Sequence, residues 1–227
     1  MPMMPYVSPE QAMKDKADFA RKGISRGRSV VAVATDFGVL FVAENPSVTL
    51  HKVSEIYDRI AFAAVGKYNE FEQLRVAGIR MADVKGYQYS REDVTGRSLA
   101  NAYANAMGSV FTDSMKPLEV ELLVVEVFAE TVEMYHILYD GSITDEEGFV
   151  AIGGSAEAIN ETLKAGYAPG MDREGALRLA VGALQEVEDR ELQPARLEVA
   201  GLDRDRGRRK FFRVPEAEVV DILAAGS

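Results

Sequence analysis

The 227-residue chain contains no cysteine and only two histidines. Without cysteine it can form no disulfide, no thiol nucleophile and no thiolate metal site. The two histidines, His51 and His136, leave little room for a Ser-His-Asp triad or for a metal cluster of histidines. We therefore expect neither a metal nor a cofactor in this protein.

Positive charge is scarce. The chain has 26 Lys and Arg residues against 36 Asp and Glu residues, so its net charge is -10 and its sequence pI is about 4.9. An acidic chain repels phosphate backbones, which argues against nucleic acid as a partner.

Long apolar runs are missing as well. No window of about 18 residues is uninterruptedly apolar, so we expect no membrane span and no membrane partner. The N-terminal stretch MPMMPYVSPEQ has no basic region and is broken by prolines, which is not typical of a secretory signal. These absences favour a soluble, cytoplasmic protein.

Apolar patterning predicts the elements of the fold. Hydrophobic residues make up 47% of the chain, and there is no linker or internal repeat, so residues 1–227 are expected to form one domain. The predicted strands cover residues 30–35, 39–43, two segments within 51–67 of which the second is 60–65, then 119–128, 133–139, 149–152, 196–202 and 210–214. The predicted helices cover residues 8–23, a segment that begins at Asn69, then 96–111, 156–165, 173–188 and a last segment that opens at Pro215.

Strands and helices follow one another in pairs rather than in βαβ alternation. This order predicts an α+β fold, a four-layer αββα sandwich of two antiparallel sheets flanked by helix pairs. In the first helix Ser8 is the expected N-cap, Gln11 completes a capping box, and Gly23 ends the helix. The stretch GGSAEA has neither the lysine nor the length of a phosphate-binding loop, so Ser155 is interpreted as a plain N-cap.

The stretch GRSVVAVATDFGVLFVAEN, residues 27–45, predicts two apolar strands about a tight turn. This layout resembles the opening hairpin of N-terminal-nucleophile hydrolases, in which cleavage after the glycine frees a Thr, Ser or Cys with its own α-amine. Here Arg28 follows the glycine, and Ser29 comes one residue late, so the nitrogen of Ser29 stays an amide. We therefore expect no nucleophile, and for Glu44 a polar contact rather than a catalytic role.

Segments along nearly the whole chain carry a more specific resemblance: SPEQAM, ARKGI, GVLFVAENPS, KVSEIYDR, FAAVGKYNEFEQLR, DVTGRSLANAYA, YDGSI and AIGGS. They resemble the proteasome α-subunit family, most closely its actinobacterial branch. The resemblance implies a seven-membered α ring that caps a ring of proteolytic β subunits. It also implies that the α ring forms and gates the axial entrance for tagged proteins. A hexameric ATPase or another activator would dock on it through its C-terminal residues.

The same resemblance implies an activator-binding pocket between neighbouring α subunits, formed by Lys52, Gly23 and Lys67. A lysine suits this role because its compact cation can meet a C-terminal carboxylate with three donors. The alternative for Lys52 is an ordinary lysine at a strand edge.

The N-terminal residues are interpreted as a gate. Prolines prevent a helix there, and methionine side chains adapt to irregular packing at the axis of a ring. The gate residues are Met1, Met3, Met4, Pro5, Tyr6 and Val7, with Pro9 where the first helix begins. The alternative is a terminus that blocks nothing.

Two charged stretches and two other functions stay open. Residues 14–28 hold six basic and two acidic residues, which fits a basic collar for acidic activator tails or a solvated helix face. DRDRGRRKFFR, residues 203–213, is interpreted as a solvated hairpin between two strands rather than a nucleic-acid contact, because Asp203 and Asp205 interrupt its basic run. The alternative functions are a self-contained peptidase that uses Ser29 after processing, and a ring scaffold without a protease partner.

Overall fold

The chain folds into two five-stranded antiparallel sheets that face each other, in a computed structural model that describes residues 8–188 and 191–225. Within these residues the strands are β1 (Val30–Thr35), β2 (Gly38–Glu44), β3 (Val53–Tyr57), β4 (Ile60–Gly66), β5 (Val120–Val127), β6 (Val132–Ile137), β7 (Ile143–Glu146), β8 (Phe149–Ile152), β9 (Leu197–Asp203) and β10 (Phe211–Arg213). The predicted gate residues Met1–Val7 lie outside the described residues. The predicted pair of antiparallel sheets is confirmed.

Six α-helices accompany the sheets within the described residues: α1 (Pro9–Ile24), α2 (Tyr68–Gln88), α3 (Gly96–Asp113), α4 (Ala156–Gly166), α5 (Arg173–Glu188) and α6 (Glu216–Ala224). Two single turns of 3₁₀-helix precede α3 and β9, at Arg91–Asp93 and Pro194–Arg196. In this part of the chain, no helix combines the length and the apolar character needed to cross a membrane.

The strand order gives the sandwich two opposite edges. The first sheet runs β10-β9-β2-β1-β8 and the second runs β3-β4-β5-β6-β7. Strands β10 and β3 lie at the same edge, where Arg213 Nη2 donates to the Val53 carbonyl at 2.7 Å. Strands β7 and β8, joined by a tight turn, form the other edge.

Burial explains why the central strands are almost continuously apolar: each sheet is covered on both faces. Between the sheets, residues such as Ala32 and its register partner Phe41 pack against Leu123 and Val125. Helices α4, α5 and α6 cover the outer face of the first sheet, and α2 and α3 cover that of the second. A register shift of one residue would turn the inner side chains to the outer face, so the pairing is strongly specified.

Helix α1 closes one side of the inter-sheet core through two fully buried side chains, Ala20 and Ile24. Ser8 caps it as predicted, since its Oγ accepts from the Gln11 amide at 3.2 Å. The predicted capping box is wrong, because the Gln11 side chain donates to Asp15 one turn along instead.

Two other local predictions are wrong, a third holds only in position, and one strand was missed. Helix α1 ends at Ile24 with Ser25 as C-cap, so Gly23 lies inside its last turn. Helix α2 begins at Tyr68 with Lys67 at the N-cap position, so Asn69 does not cap it. Ser155 occupies the N-cap position of α4, yet its side chain makes no capping hydrogen bond. The short strand β7 was not predicted.

Candidate functional site

Ser29 has no free amine in this fold. It lies between α1 and β1, it is 3% exposed, and the chain continues from it into the helix whose Ala20 and Ile24 are buried in the core. Cleavage before Ser29 would remove those two core residues. The geometry therefore opposes an N-terminal nucleophile here, as the sequence predicted.

Glu44, at the far end of the opening hairpin, makes the polar contact that was expected. Its Oε2 lies 3.4 Å from Arg28 Nε, and Arg28 Nη1 donates to Glu188 Oε2 at 3.1 Å. Arg28 thus stands in place of a nucleophile and holds two carboxylates.

Lys52 lies just before β3, at the edge that β3 shares with β10, and is half-buried. Its Nζ donates to the Arg28 carbonyl oxygen at 2.5 Å. Its backbone carbonyl accepts from the Ala64 amide at 3.0 Å, which extends the β3–β4 pairing to Lys52 itself. Backbone contacts thus fix the base of this side chain, and a carbonyl oxygen holds its amine.

Glu198 on β9 organises the loop that carries Lys52. Its carboxylate is 7% exposed and accepts from the amides of Lys52 at 2.9 Å and Val53 at 3.2 Å, and from the Asn45 side chain at 2.7 Å. Arg213 Nη1 donates to the same carboxylate at 2.8 Å. Burial alone would raise the pKa of Glu198, but these hydrogen bonds hold it below its usual value.

The amine of Lys52 is poorly compensated. Burial lowers the pKa of Lys52 to about 8, against the opposing attraction of the carboxylates of Glu198 and Glu44. The carboxylate of Glu198 is occupied by other donors, so the amine contacts a neutral carbonyl instead. A carboxylate that arrived at Lys52 would supply the ionic partner that burial makes valuable.

Gly23 and Lys67, the other two predicted pocket residues, meet at Glu119. A Cβ atom on Gly23 would lie 2.1 Å from Glu119 Oε2, so only glycine allows this approach. The Lys67 amide donates to the Glu119 carbonyl at 2.9 Å, and its exposed Nζ lies 3.6 Å from Glu70 Oε1. Lys116 Nζ contacts the Glu119 carboxylate at 2.9 Å.

The segment Gly27–Arg28 connects Lys52 to this second group. A Cβ atom on Gly27 would lie 3.1 Å from the Gly66 amide nitrogen, next to Lys67, and the Arg28 carbonyl holds Lys52. The structure therefore brings Lys52 and Lys67 to the two sides of one glycine-containing segment, while Gly23 sits one helical turn earlier against Glu119.

Sequence reasoning missed the contributions of Glu198 and Gly27. Glu198 is the only acid between Leu197 and Leu202 in the run LEVAGL, and a lone carboxylate in an apolar strand is a signal of a buried polar contact. The sequence marks Gly27 only as the glycine before a possible cleavage point. Its close approach to Gly66 is a tertiary contact with no local signature.

Comparisons with known proteins identify the same family each time. A family model described as "Proteasome subunit" matches residues 24–201. A protein named "Proteasome subunit alpha" from Thermomonospora curvata is 55% identical over 230 aligned positions, which cover 100% of both chains. Its namesake from Kineococcus radiotolerans is 57% identical over 229 positions, which cover 96% of this chain and 97% of that one.

A third relative with the same name, from Streptosporangium roseum, is 55% identical over 224 positions that cover 98% of this chain and 86% of its own. Three observations support one assignment: the two facing antiparallel sheets, the opening hairpin without a nucleophile, and the sequence identity over nearly the full length. The chain therefore belongs to the proteasome α-subunit family, in its actinobacterial branch, and is of the non-catalytic subunit type.

Proposed function

We propose that this chain forms the axial entrance of a cytoplasmic proteasome core. Seven copies, each a single domain of residues 1–227, form a ring on a ring of proteolytic β subunits. Residues 1–7 with Pro9 gate the opening, and a hexameric ATPase or another activator docks through its C-terminal residues. The core then degrades tagged proteins.

The observation that carries docking is the environment of Lys52. Its amine is half-buried at a sheet edge, directed by the Arg28 carbonyl, and lacks a carboxylate hydrogen-bond partner among the described residues. The C-terminal carboxylate of a peptide would give the Lys52 amine the charged hydrogen-bond acceptor that it lacks. An ordinary edge lysine would extend into water and keep its usual pKa.

The backbone around Lys52 is closely packed and fixes the direction of its amine. Gly23 and Gly27 let Glu119 and the Gly66 backbone pack against the segment that leads to Arg28, whose carbonyl holds Lys52. Lys67, across the Gly27–Arg28 segment from Lys52, is a second exposed cation, with its Nζ 3.6 Å from Glu70 Oε1. These features support the activator-binding roles given to Lys52, Gly23 and Lys67, with Gly27 added to them.

Coexpression with a β subunit that carries an N-terminal Thr tests this function. We expect a barrel with seven-fold end rings in electron micrographs, and an intact mass showing that nothing has been removed before Ser29. The isolated chain should not cleave fluorogenic peptides. Hydrolysis that disappears in Ser29→Ala would favour the peptidase alternative, and rings that never bind the β subunit would favour the scaffold.

A further inference from the structure

Two oppositely charged surfaces lie at the two edges of the sandwich. Residues 130–147, the acidic edge, hold six Asp and Glu residues and no Lys or Arg. They include β6 and β7. Residues 203–213, the basic hairpin, hold six Lys and Arg residues against two Asp, a local charge of +4 on a chain of -10. The basic hairpin connects β9 to β10 and lies beside β3.

The acidic edge contains a cavity of about 500 Å³ between α3 and the β6–β7 hairpin. Its walls include apolar side chains from α3 and both strands, among them Ala100 and Ile143. Glu133, Asp145 and Glu147 line it as well, and the last two are exposed. An apolar wall with carboxylates at its rim fits an arginine, whose stem packs on apolar surface while its guanidinium stays polar.

Tyr135 lines this cavity among its carboxylates. Its hydroxyl donates to Glu133 Oε2 at 2.6 Å. Burial, that hydrogen bond and the nearby carboxylates, Asp145 among them, raise the pKa of Tyr135 well above its usual value. The cavity is lined by one basic side chain, Arg97, against four acidic ones.

The tip of the basic hairpin projects into solvent. A Cβ atom on Gly207 would meet no atom within 4 Å, and the side chains of Arg208 and Arg209 are 73% and 76% exposed. Arg209 is held by Glu55 at 2.6 Å. Arg208 is held only loosely, since its Nε lies 3.7 Å from Asp58 Oδ1.

The acidic edge and the basic hairpin cannot contact each other within one chain. Strands β3 and β7 are separated by four strand spacings, or about 19 Å at ~4.8 Å per spacing. A two-fold dimer cannot pair both surfaces either, because they lie on opposite edges of the molecule. A head-to-tail contact, in which each copy gives its basic hairpin to the next, uses both and generates a closed ring when the rotation closes.

We propose that the basic hairpin of one copy, led by Arg208, inserts into the cavity between α3 and β7 of the next copy. This inference rests on the proposed ring function and identifies the partner surfaces within that ring. The contact pairs arginines with Asp145 and Glu147 and sets the direction in which subunits follow one another. Complementary charge also steers the encounter of two chains that are each acidic overall.

Charge reversal tests the contact in cores coexpressed with the β subunit. Arg208→Glu and Asp145→Arg should each lower the yield of assembled rings in native mass spectrometry, with an association constant at least about tenfold weaker per contact. Combining the two should restore assembly, because the charges are exchanged across the contact. Lys164→Glu on the exposed side of α4 makes the same charge change as Arg208→Glu and should assemble normally.

Cross-linking provides a second readout that does not depend on stability. Because the chain has no cysteine, Glu147→Cys with Arg208→Cys gives two unique thiols. A short bismaleimide should join successive copies into a ladder up to seven chains, and each single variant should give none. No ladder in intact cores, together with normal assembly of both reversals, would overturn the edge contact and leave the ring function standing.

Other outcomes are also decisive. If the wild-type chain forms no core with the β subunit, the proposed function fails and the edge contact fails with it. If Asp145→Arg weakens assembly but Arg208→Glu does not, and the double variant is not restored, the cavity takes a group other than this hairpin and the proposal is wrong.

Discussion

The Nζ atom of Lys52 lies 2.5 Å from the backbone carbonyl oxygen of Arg28, a residue 24 positions earlier in the chain. This hydrogen bond ties the β3 edge to the segment that leaves α1. Because the carbonyl that orients the amine is neutral, the positive charge of Lys52 remains available for an ionic partner. Any force that draws Lys52 away also acts on the segment that continues back into α1.

Lys52→Ala should weaken activator docking without unfolding the subunit. Removing one member of a partly buried charge pair costs about 2–5 kcal/mol per site, and equivalent pockets around a ring multiply the loss. Degradation of a folded, tagged substrate by core and ATPase should fall steeply, while cleavage of small peptides by the core should change little. Lys164→Ala is the matched control. Wild-type degradation by Lys52→Ala cores would remove Lys52 as the anchor.

Docking should depend on pH because the amine of Lys52 titrates near pH 8 in the free subunit. A bound carboxylate raises that pKa, so affinity is full below the free value and falls as pH rises through it, by up to about tenfold per pH unit until the bound value is reached. Fluorescence polarisation of a labelled C-terminal activator peptide measures this. Lys52→Arg keeps its charge throughout and should abolish the dependence; the same decline in that variant would assign it to another group.

Glu198→Ala should destabilise the fold, since it leaves Arg213 and two backbone amides without their acceptor. We expect a loss of about 3–5 kcal/mol at neutral pH in urea unfolding. The pKa of Glu198 is lowered in the folded state, so its stabilisation is complete above the unfolded value of 4.5 and is lost as pH falls through the folded value. The difference from wild type should therefore shrink in acid.

Glu191→Ala removes an exposed carboxylate and serves as the control for that experiment. It should change the free energy of unfolding by about 0.5 kcal/mol at most. Equal stability of Glu198→Ala and wild type at pH 7 would show that the loop before β3 does not need this carboxylate.

Deleting residues 1–7 should raise the rate at which an assembled core hydrolyses fluorogenic peptides, with the β active sites titrated and held equal. In the proposed gate, apolar side chains close the pore, so removing them should open it without changing the chemistry of the β subunits. Replacing the same seven residues by a Gly-Ser segment of equal length should give a similar increase. Rates equal to those of the full-length core in both variants would reject the gate, provided its pore is closed in micrographs.

The sequence alone predicts most of the fold because its signals there are strong and local. Long apolar strands, paired helices and the cap at Ser8 are properties of neighbouring residues. Strand β7 escapes prediction because ITDE is short, mostly polar and exposed along its middle. It forms by pairing with β6, a tertiary effect that outweighs its weak strand pattern.

The candidate site was predictable only in part. Lys52 is found by motif, but the Glu198 carboxylate that shapes its loop accepts from loop residues 145 to 153 positions away. Gly23 was expected to end a helix, and instead it allows Glu119 to pack against the last turn. Contacts of this range follow from the packing of the two sheets and leave no periodic trace in the sequence.

The burial of Ala20 and Ile24 bears on how such a subunit could acquire or regain catalysis. Exchanging Arg28 for a threonine would not suffice, because a free amine also requires loss of the preceding helix. Losing the helix would remove the stabilisation from burying the Ile24 side chain, about 1.5–3 kcal/mol. It would also expose the core surfaces that the helix covers. A catalytically active variant would therefore have a less stable fold. Compensating changes in the core would have to come before any change in chemistry.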